Sequence, residues 1–204
     1  MTEVVGCVLA GGLARRMGGG DKGLIRLGGR LVLDHVLDRL KPQVSQVILN
    51  ANGDPARFEA YGLPVVPDSV EGFAGPLAGV LAGLEWARDN TAARWVATAA
   101  TDTPFFPTDF VTRMLAAIEA NDAGMACACS EGRNHPVFGL WPVRLADDLR
   151  HALVDEDIRK VDVWTARHRL VAVEFASQPH DPFFNVNRPE DVEEAERIAA
   201  EIAA

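Results

Sequence analysis

Residues 7–24 read CVLAGGLARRMGGGDKGL, and the rest of the chain follows from how this stretch breaks. Val4 to Leu9 is an apolar run of the kind that forms a strand buried on both faces of a parallel sheet. It stops at Gly11-Gly12. Six of the thirteen residues from Gly11 to Gly23 are glycine, with Arg15, Arg16 and Lys22 among them. Glycine admits positive φ and lets the backbone come into contact range of a ligand. Successive N–H groups in such a turn make an anion-binding concavity, to which guanidinium and ammonium groups add full charges. A plain surface loop is the alternative. Three cations among glycines, directly after a buried strand, favour a phosphate site.

Two familiar phosphate loops do not fit. The P-loop requires Gly-Lys followed by Ser or Thr, whereas Lys22 follows Asp21 and precedes Gly23. Gly18, Gly20 and Gly23 spell G-x-G-x-x-G, but some nine residues after the strand, where a dinucleotide fold has it at once. That match is accidental.

Outward from the loop, strand-like runs alternate with helical periodicity almost to the end. This predicts an α/β fold: a single doubly wound, mostly parallel sheet with helices on both faces. The expected helices are 31–40, 77–88, 108–120 with Thr108 as N-cap, 145–153, 158–167, and a closing helix opened by Pro189. The expected strands after the first are 46–49, 63–66, 94–100, 125–129, 137–141 and 170–175. No repeat, low-complexity tract or linker interrupts residues 1–204, which read as one domain. Gly11, Asn50, Asp68 and Asp102 each fall just past the carboxyl end of an expected strand, the edge at which open α/β sheets bind ligands.

Composition narrows the partners. A formal charge of −9 on 204 residues argues against nucleic acid or an anionic membrane. A phosphate ligand must then depend on local cations and on a divalent metal to offset the overall field. Asp102, in A-A-T-D-T-P, suits Mg²⁺ as a hard oxygen ligand, with a turn aspartate before Pro104 as the alternative. Cys7, Cys127 and Cys129 form no C-x-x-C pair and read as buried thiols of a reducing interior. With an acidic start and no apolar run long enough to span a bilayer, the expected location is the cytoplasm.

The stretch L-A-G-G (Leu9 to Gly12), R-M-G-G (Arg16 to Gly19) and D-K-G-L (Asp21 to Leu24) resembles the signature of the molybdenum cofactor guanylyltransferases, within the nucleotidyltransferase superfamily. Relatives using other nucleotides usually carry L-A-A-G, so Gly11 before Gly12 points to guanine. The resemblance continues through G-P-L-A-G (Gly75 to Gly79), Asn134-His135-Pro136, R-K-V-x-x-W (Arg159 to Trp164) and N-V-N-x-P-E (Asn185 to Glu190).

It implies a Rossmann-like nucleotidyltransferase that takes GTP and Mg²⁺ and transfers GMP to the phosphate of the molybdopterin cofactor, releasing pyrophosphate. The amino-terminal part would bind GTP and the carboxyl-terminal part the pterin. By this resemblance Arg16, Lys22 and Asp102 are catalytic, with Asp102 also the metal ligand. Leu9, Ala10, Gly11, Gly12, Lys22, Asn50, Asp68 and Asp102 bind nucleotide. His135, Arg159, Lys160, Asn185 and Asn187 meet the second substrate. For His135 a purely structural hydrogen bond, for Arg159 and Lys160 a solvated helix face, and for Asn52 a turn position remain open. Molybdoenzymes or cofactor-delivery proteins would be further partners. The rival readings are a cytidylyl- or sugar-phosphate nucleotidyltransferase of the same fold, and a carrier that does no chemistry.

Overall fold

The computed structural model describes residues 3–11, 22–72 and 75–203. Its centre is a sheet of seven strands: β1 (Val4–Leu9), β4 (Gln46–Asn50), β5 (Val65–Val66), β6 (Trp95–Ala100), β7 (Met125–Ser130), β8 (Arg133–Pro142) and β9 (Leu170–Glu174). Across the sheet they lie in the order β5-β4-β1-β6-β8-β7-β9. All neighbours pair parallel except β8, which runs antiparallel to both β6 and β7. The sheet is therefore mostly parallel, with one reversed strand inside it. A short hairpin, β2 (Arg26–Leu27) and β3 (Arg30–Leu31), turns through Gly28 and Gly29 at φ 58 and 81. Paired positive φ values suit a tight hairpin turn, where glycine carries no steric penalty.

Strand periodicity sends alternate side chains to two separate cores. Val4, Val8, Val47, Leu49, Ala97 and Ala99 meet helices α1 (Val32–Leu40) and α3 (Phe110–Ala120) on one face. Val5, Cys7, Ile48 and Val96 meet α2 (Pro76–Asn90), α4 (Ala146–Val154) and α5 (Val161–Thr165) on the other. Gly6 leaves room for α1 at the centre, since a Cβ there would lie 2.9 Å from a Leu40 methyl. The closing helix α6 (Pro189–Ala203) packs Ala195 and Ile198 with Leu27, Val32, Phe105 and Val186 in a third cluster. No described helix is long and apolar enough to cross a membrane.

Several expected elements move. The helix expected over 158–167 shrinks to Val161–Thr165: Asp157 sits at φ 54 and Lys160 is extended, so the chain before Val161 cannot wind. Thr108 is not the N-cap: α3 begins at Phe110, after Asp109. The strand expected over 63–66 is reduced to two residues, while the one expected over 137–141 lengthens to Arg133–Pro142. Pro55–Tyr61, unassigned in the sequence reading, forms a 3-10 helix capped by the Asp54 side chain.

Candidate active site

The carboxyl edge of the sheet opens into two adjoining cavities. The larger, about 720 Å³, is lined by Leu9, Gly11, Asn50, Asn52, Asp68, Gly75, Pro76, Gly79, Thr101 and Asp102 among others. The smaller, about 320 Å³, is lined by Arg133, Asn134, His135, Pro136, Phe183, Asn185 and Asn187. Ala100, Asp102 and Val137 belong to both. Asp102 is therefore the carboxylate in the wall between them.

Strand tips β1, β4 and β6 build the larger cavity. Asn50 ends β4, is 5 % exposed, and its Nδ2 donates to Asp68 Oδ1 at 2.9 Å and to the Val66 carbonyl at 3.2 Å. Asn52 Nδ2 donates to Asp68 Oδ2 at 2.7 Å, and its Oδ1 accepts the Asp68 N–H at 2.8 Å. Both oxygens of Asp68 are thus held by amides. The position left open between turn and function for Asn52 is a clamp on that carboxylate. Helix α2 enters at Gly75-Pro76 with its N-terminus beside this clamp, and a Cβ on Gly79 would lie 2.3 Å from Asn50 Oδ1. Only glycine lets the helix come that close.

At the tip of β6, the Asp102 carbonyl accepts the Val186 N–H at 2.7 Å. The buried Thr103 hydroxyl lies 2.8 Å from Asn185 Oδ1 and 3.3 Å from Asp102 Oδ1. Asn185-Val186-Asn187 is thereby stapled to the loop that carries Asp102. Lys22 begins a 3-10 turn over Lys22–Leu24, and a Cβ on Gly23 would come 3.1 Å from the Thr101 Cβ. The backbone of that turn packs against the residue before Asp102. The Lys22 side chain, together with Gly12 and Arg16, lies outside the described residues.

His135 closes the smaller cavity. Its ring stacks on Phe183 with centroids 4.4 Å apart and planes at 25°. Its Nε2 is 2.7 Å from Ser130 Oγ, which donates to Asp181 Oδ1 at 3.1 Å. The carboxylate takes the only hydroxyl proton, so His135 donates through Nε2–H and keeps the Nδ1 lone pair. Burial lowers its pKa, with Arg133 adding to the effect and Asp181 and Glu174 opposing it. The ring is neutral at neutral pH.

Of the expected nucleotide residues, Leu9, Gly11, Asn50, Asp68 and Asp102 line the larger cavity, while Ala10 is 2 % exposed and donates its N–H to the Asn50 carbonyl. His135, Asn185 and Asn187 line the smaller one. Arg159 and Lys160 do not join them: both are exposed and line neither cavity, and Arg159 Nε donates to Asp157 Oδ1 at 2.8 Å. The Arg159 carbonyl lies 3.7 Å from a Cβ built on Gly75, next to the larger cavity. Thr103, Ser130, Asp181 and Phe183 were not singled out in the sequence. Their partners lie 82 residues away for Thr103 and 51 for Ser130, and no local pattern signals such pairs.

The model of the MobA-like NTP transferase domain matches residues 6–170. The molybdenum cofactor guanylyltransferase of Bradyrhizobium sp. (strain ORS 278) is 60% identical over 200 residues, 98% of this chain and 94% of that protein. The chain belongs to the molybdenum cofactor guanylyltransferase family. Other members include the Rhodopseudomonas palustris (strain BisB5) protein, 58% identical over 94% of this chain and 92% of that one. Among solved structures, the molybdopterin-guanine dinucleotide biosynthesis protein A of Archaeoglobus fulgidus superposes with a TM-score of 0.74 over 97% of this chain and 99% of that one. At 23% identity this likeness shows the fold, which is that of the nucleotidyltransferases. As a member of this guanylyltransferase family, the chain is a nucleotidyltransferase of molybdenum cofactor biosynthesis.

Proposed function

We propose that the chain transfers GMP from GTP to the terminal phosphate of the molybdenum–molybdopterin cofactor, with release of pyrophosphate, in the cytoplasm. The observation that supports this most directly is the wall shared at Asp102. A cavity with a double-amide clamp adjoins a second one carrying amides and a neutral imidazole, and a single carboxylate stands between them. Two substrates held on either side of one point are what a transfer between them requires.

GTP occupies the larger cavity, with Asn50 and Asp68 toward the guanosine and the glycine-rich loop after β1 toward the phosphates. The second substrate occupies the smaller cavity against His135, Asn185 and Asn187. Its phosphate oxygen bonds to the α-phosphorus as the bond from that atom to the pyrophosphate oxygen breaks in line. Arg16 and Lys22 neutralise charge gathering on the departing pyrophosphate. Among the described residues no group of three or more His, Cys, Asp or Glu can hold a metal alone. Asp102, a hard oxygen donor facing both cavities, fits Mg²⁺, which takes one or two carboxylates and fills its shell with water and phosphate oxygens. When bound, Mg²⁺ supplies positive charge to the phosphate oxygens in the transition state.

The test is incubation with labelled GTP, Mg²⁺ and purified cofactor, then separation of products. A labelled guanine dinucleotide and pyrophosphate are expected, and Lys22→Ala should abolish both without unfolding the protein. Tighter binding of CTP than GTP removes the guanylyl assignment, and turnover unchanged in Lys22→Ala removes the catalytic one.

A further inference from the structure

The outer holder of Asp68, Asn52, is given no role in the proposed transfer, and the orientation of its amide is fixed by its partners. A backbone N–H can only donate, so the amide oxygen of Asn52 faces the Asp68 N–H at 2.8 Å. That fixes the amide nitrogen toward Asp68 Oδ2 at 2.7 Å, closing a ring of two hydrogen bonds between the residues. The Asn52 carbonyl is itself fixed by Arg57 Nη2, which donates to it at 2.7 Å from the 3-10 helix. Asn50 holds the other oxygen at 2.9 Å. A carboxylate offers about two acceptor directions on each oxygen. One direction on each is used by the asparagines, which leaves one on each oxygen of a group that lines the larger cavity.

We propose that Asn52 is a positioning residue for base selectivity: by locking the plane of Asp68 it presents two adjacent acceptors that match two adjacent N–H donors on the nucleotide base. Guanine has that pair in N1–H and the 2-amino group. Hypoxanthine keeps only N1–H, and adenine and cytosine place an acceptor nitrogen there. This rests on the reading of Asp68 as a guanosine contact. Asn52 acts through Asp68 and is itself exposed at the cavity rim.

The test measures equilibrium binding of GTP and inosine triphosphate to wild-type protein, Asn52→Ala and the isosteric Asn52→Asp, with thermal midpoints as a control for folding. Wild type should prefer GTP over inosine triphosphate. Asn52→Ala should bind GTP about tenfold more weakly, the value of one hydrogen bond to a charged group, and should lose most of the preference. A merely structural role would weaken both nucleotides equally. In Asn52→Asp the introduced carboxyl faces Asp68 Oδ2. Ionised at pH 8 it repels; protonated it donates as the amide did, and like-charge pairing raises the pH at which this occurs. GTP affinity relative to wild type should therefore fall about tenfold at pH 8. The charged groups near the pair include Arg57 and Asp54 on the 3-10 segment and Glu71 on the loop after Asp68, and the buried Cys7 thiol, neutral in this window, senses the Asp68 charge. An unchanged GTP preference in Asn52→Ala, or undiminished GTP affinity at pH 8 in Asn52→Asp, overturns the role of Asn52. A wild-type protein that binds both nucleotides alike overturns the reading of Asp68 beneath it.

Discussion

A methyl group on Gly79 would lie 2.3 Å from Asn50 Oδ1 and 2.8 Å from a Leu9 methyl. In an exposed helix interior, Gly→Ala stabilises by roughly 1 kcal/mol through propensity. Here the sign reverses, because α2 must retreat or Asn50 must leave Asp68. Gly79→Ala is expected to destabilise by about 1–3 kcal/mol and to weaken nucleotide binding, read by denaturation and titration calorimetry. A more stable variant would show that the helix has slack at this point. At this scale the sequence carried Asn50, Asp68 and Asp102, since each sits at a strand tip where an α/β sheet collects its ligands. It did not carry Thr103, Ser130 or Asp181. These act by holding another side chain, and the pairing appears only once distant segments meet.

Among the elements, the reversed strand β8 decides where the second cavity lies. Ala97 pairs with Leu140 antiparallel, so β8 brings its first residues to the edge where β6 ends. The pairing with β7 then slips between Cys127↔Gly139 and Ala128↔His135, leaving Pro136, Val137 and Phe138 unmatched at the cavity wall. Proline, with no N–H to contribute, suits such a bulge. The rule that ligands gather past the carboxyl ends of strands misses this cavity's framework, which a strand's opening residues supply, and only the resemblance singled out His135. Similarly, helical periodicity over 158–167 could not register that Asp157 takes a left-handed φ of 54. The junction of β6 with β8 is held by Thr98, 0% exposed: its hydroxyl donates to the Val137 carbonyl at 2.6 Å and accepts from Trp141 Nε1 at 2.8 Å and the Gly139 N–H at 3.3 Å. Thr98→Val keeps the volume and strands these groups. A loss of about 2–4 kcal/mol with an unchanged denaturant slope is expected.

For the whole molecule, strand-like apolar runs alternating with helical periodicity were enough to announce a sheet with helices on both faces. The third cluster, between α6 and the β2–β3 hairpin, was not legible, because a two-residue strand has too few positions to show a period. The central cores bury thiols whose ionisation is suppressed chiefly by desolvation: Cys7 and Cys127 rise from 9.0 to about 12, and Cys129 to about 11. The unfolded chain releases these protons first. Stability should therefore be whole below about pH 9 and fall as pH rises toward 12, and a urea midpoint flat across that window would count against it. Tyr61, also raised, acts in the same sense. His135, lowered by burial, acts on the acid side: its contribution is present above 6.5 and is lost as pH falls through its folded pKa.

The partition at Asp102 also bears on timing. A ligand made by joining the two occupants has a foothold on each side of a very short baseline, and when one end lets go the other keeps it at high local concentration. Departure of such a joined molecule is slower than that of either half. If the proposed transfer is the reaction, rapid-quench measurements should show a burst of pyrophosphate, one equivalent per site, before a slower steady phase set by the exit of the dinucleotide.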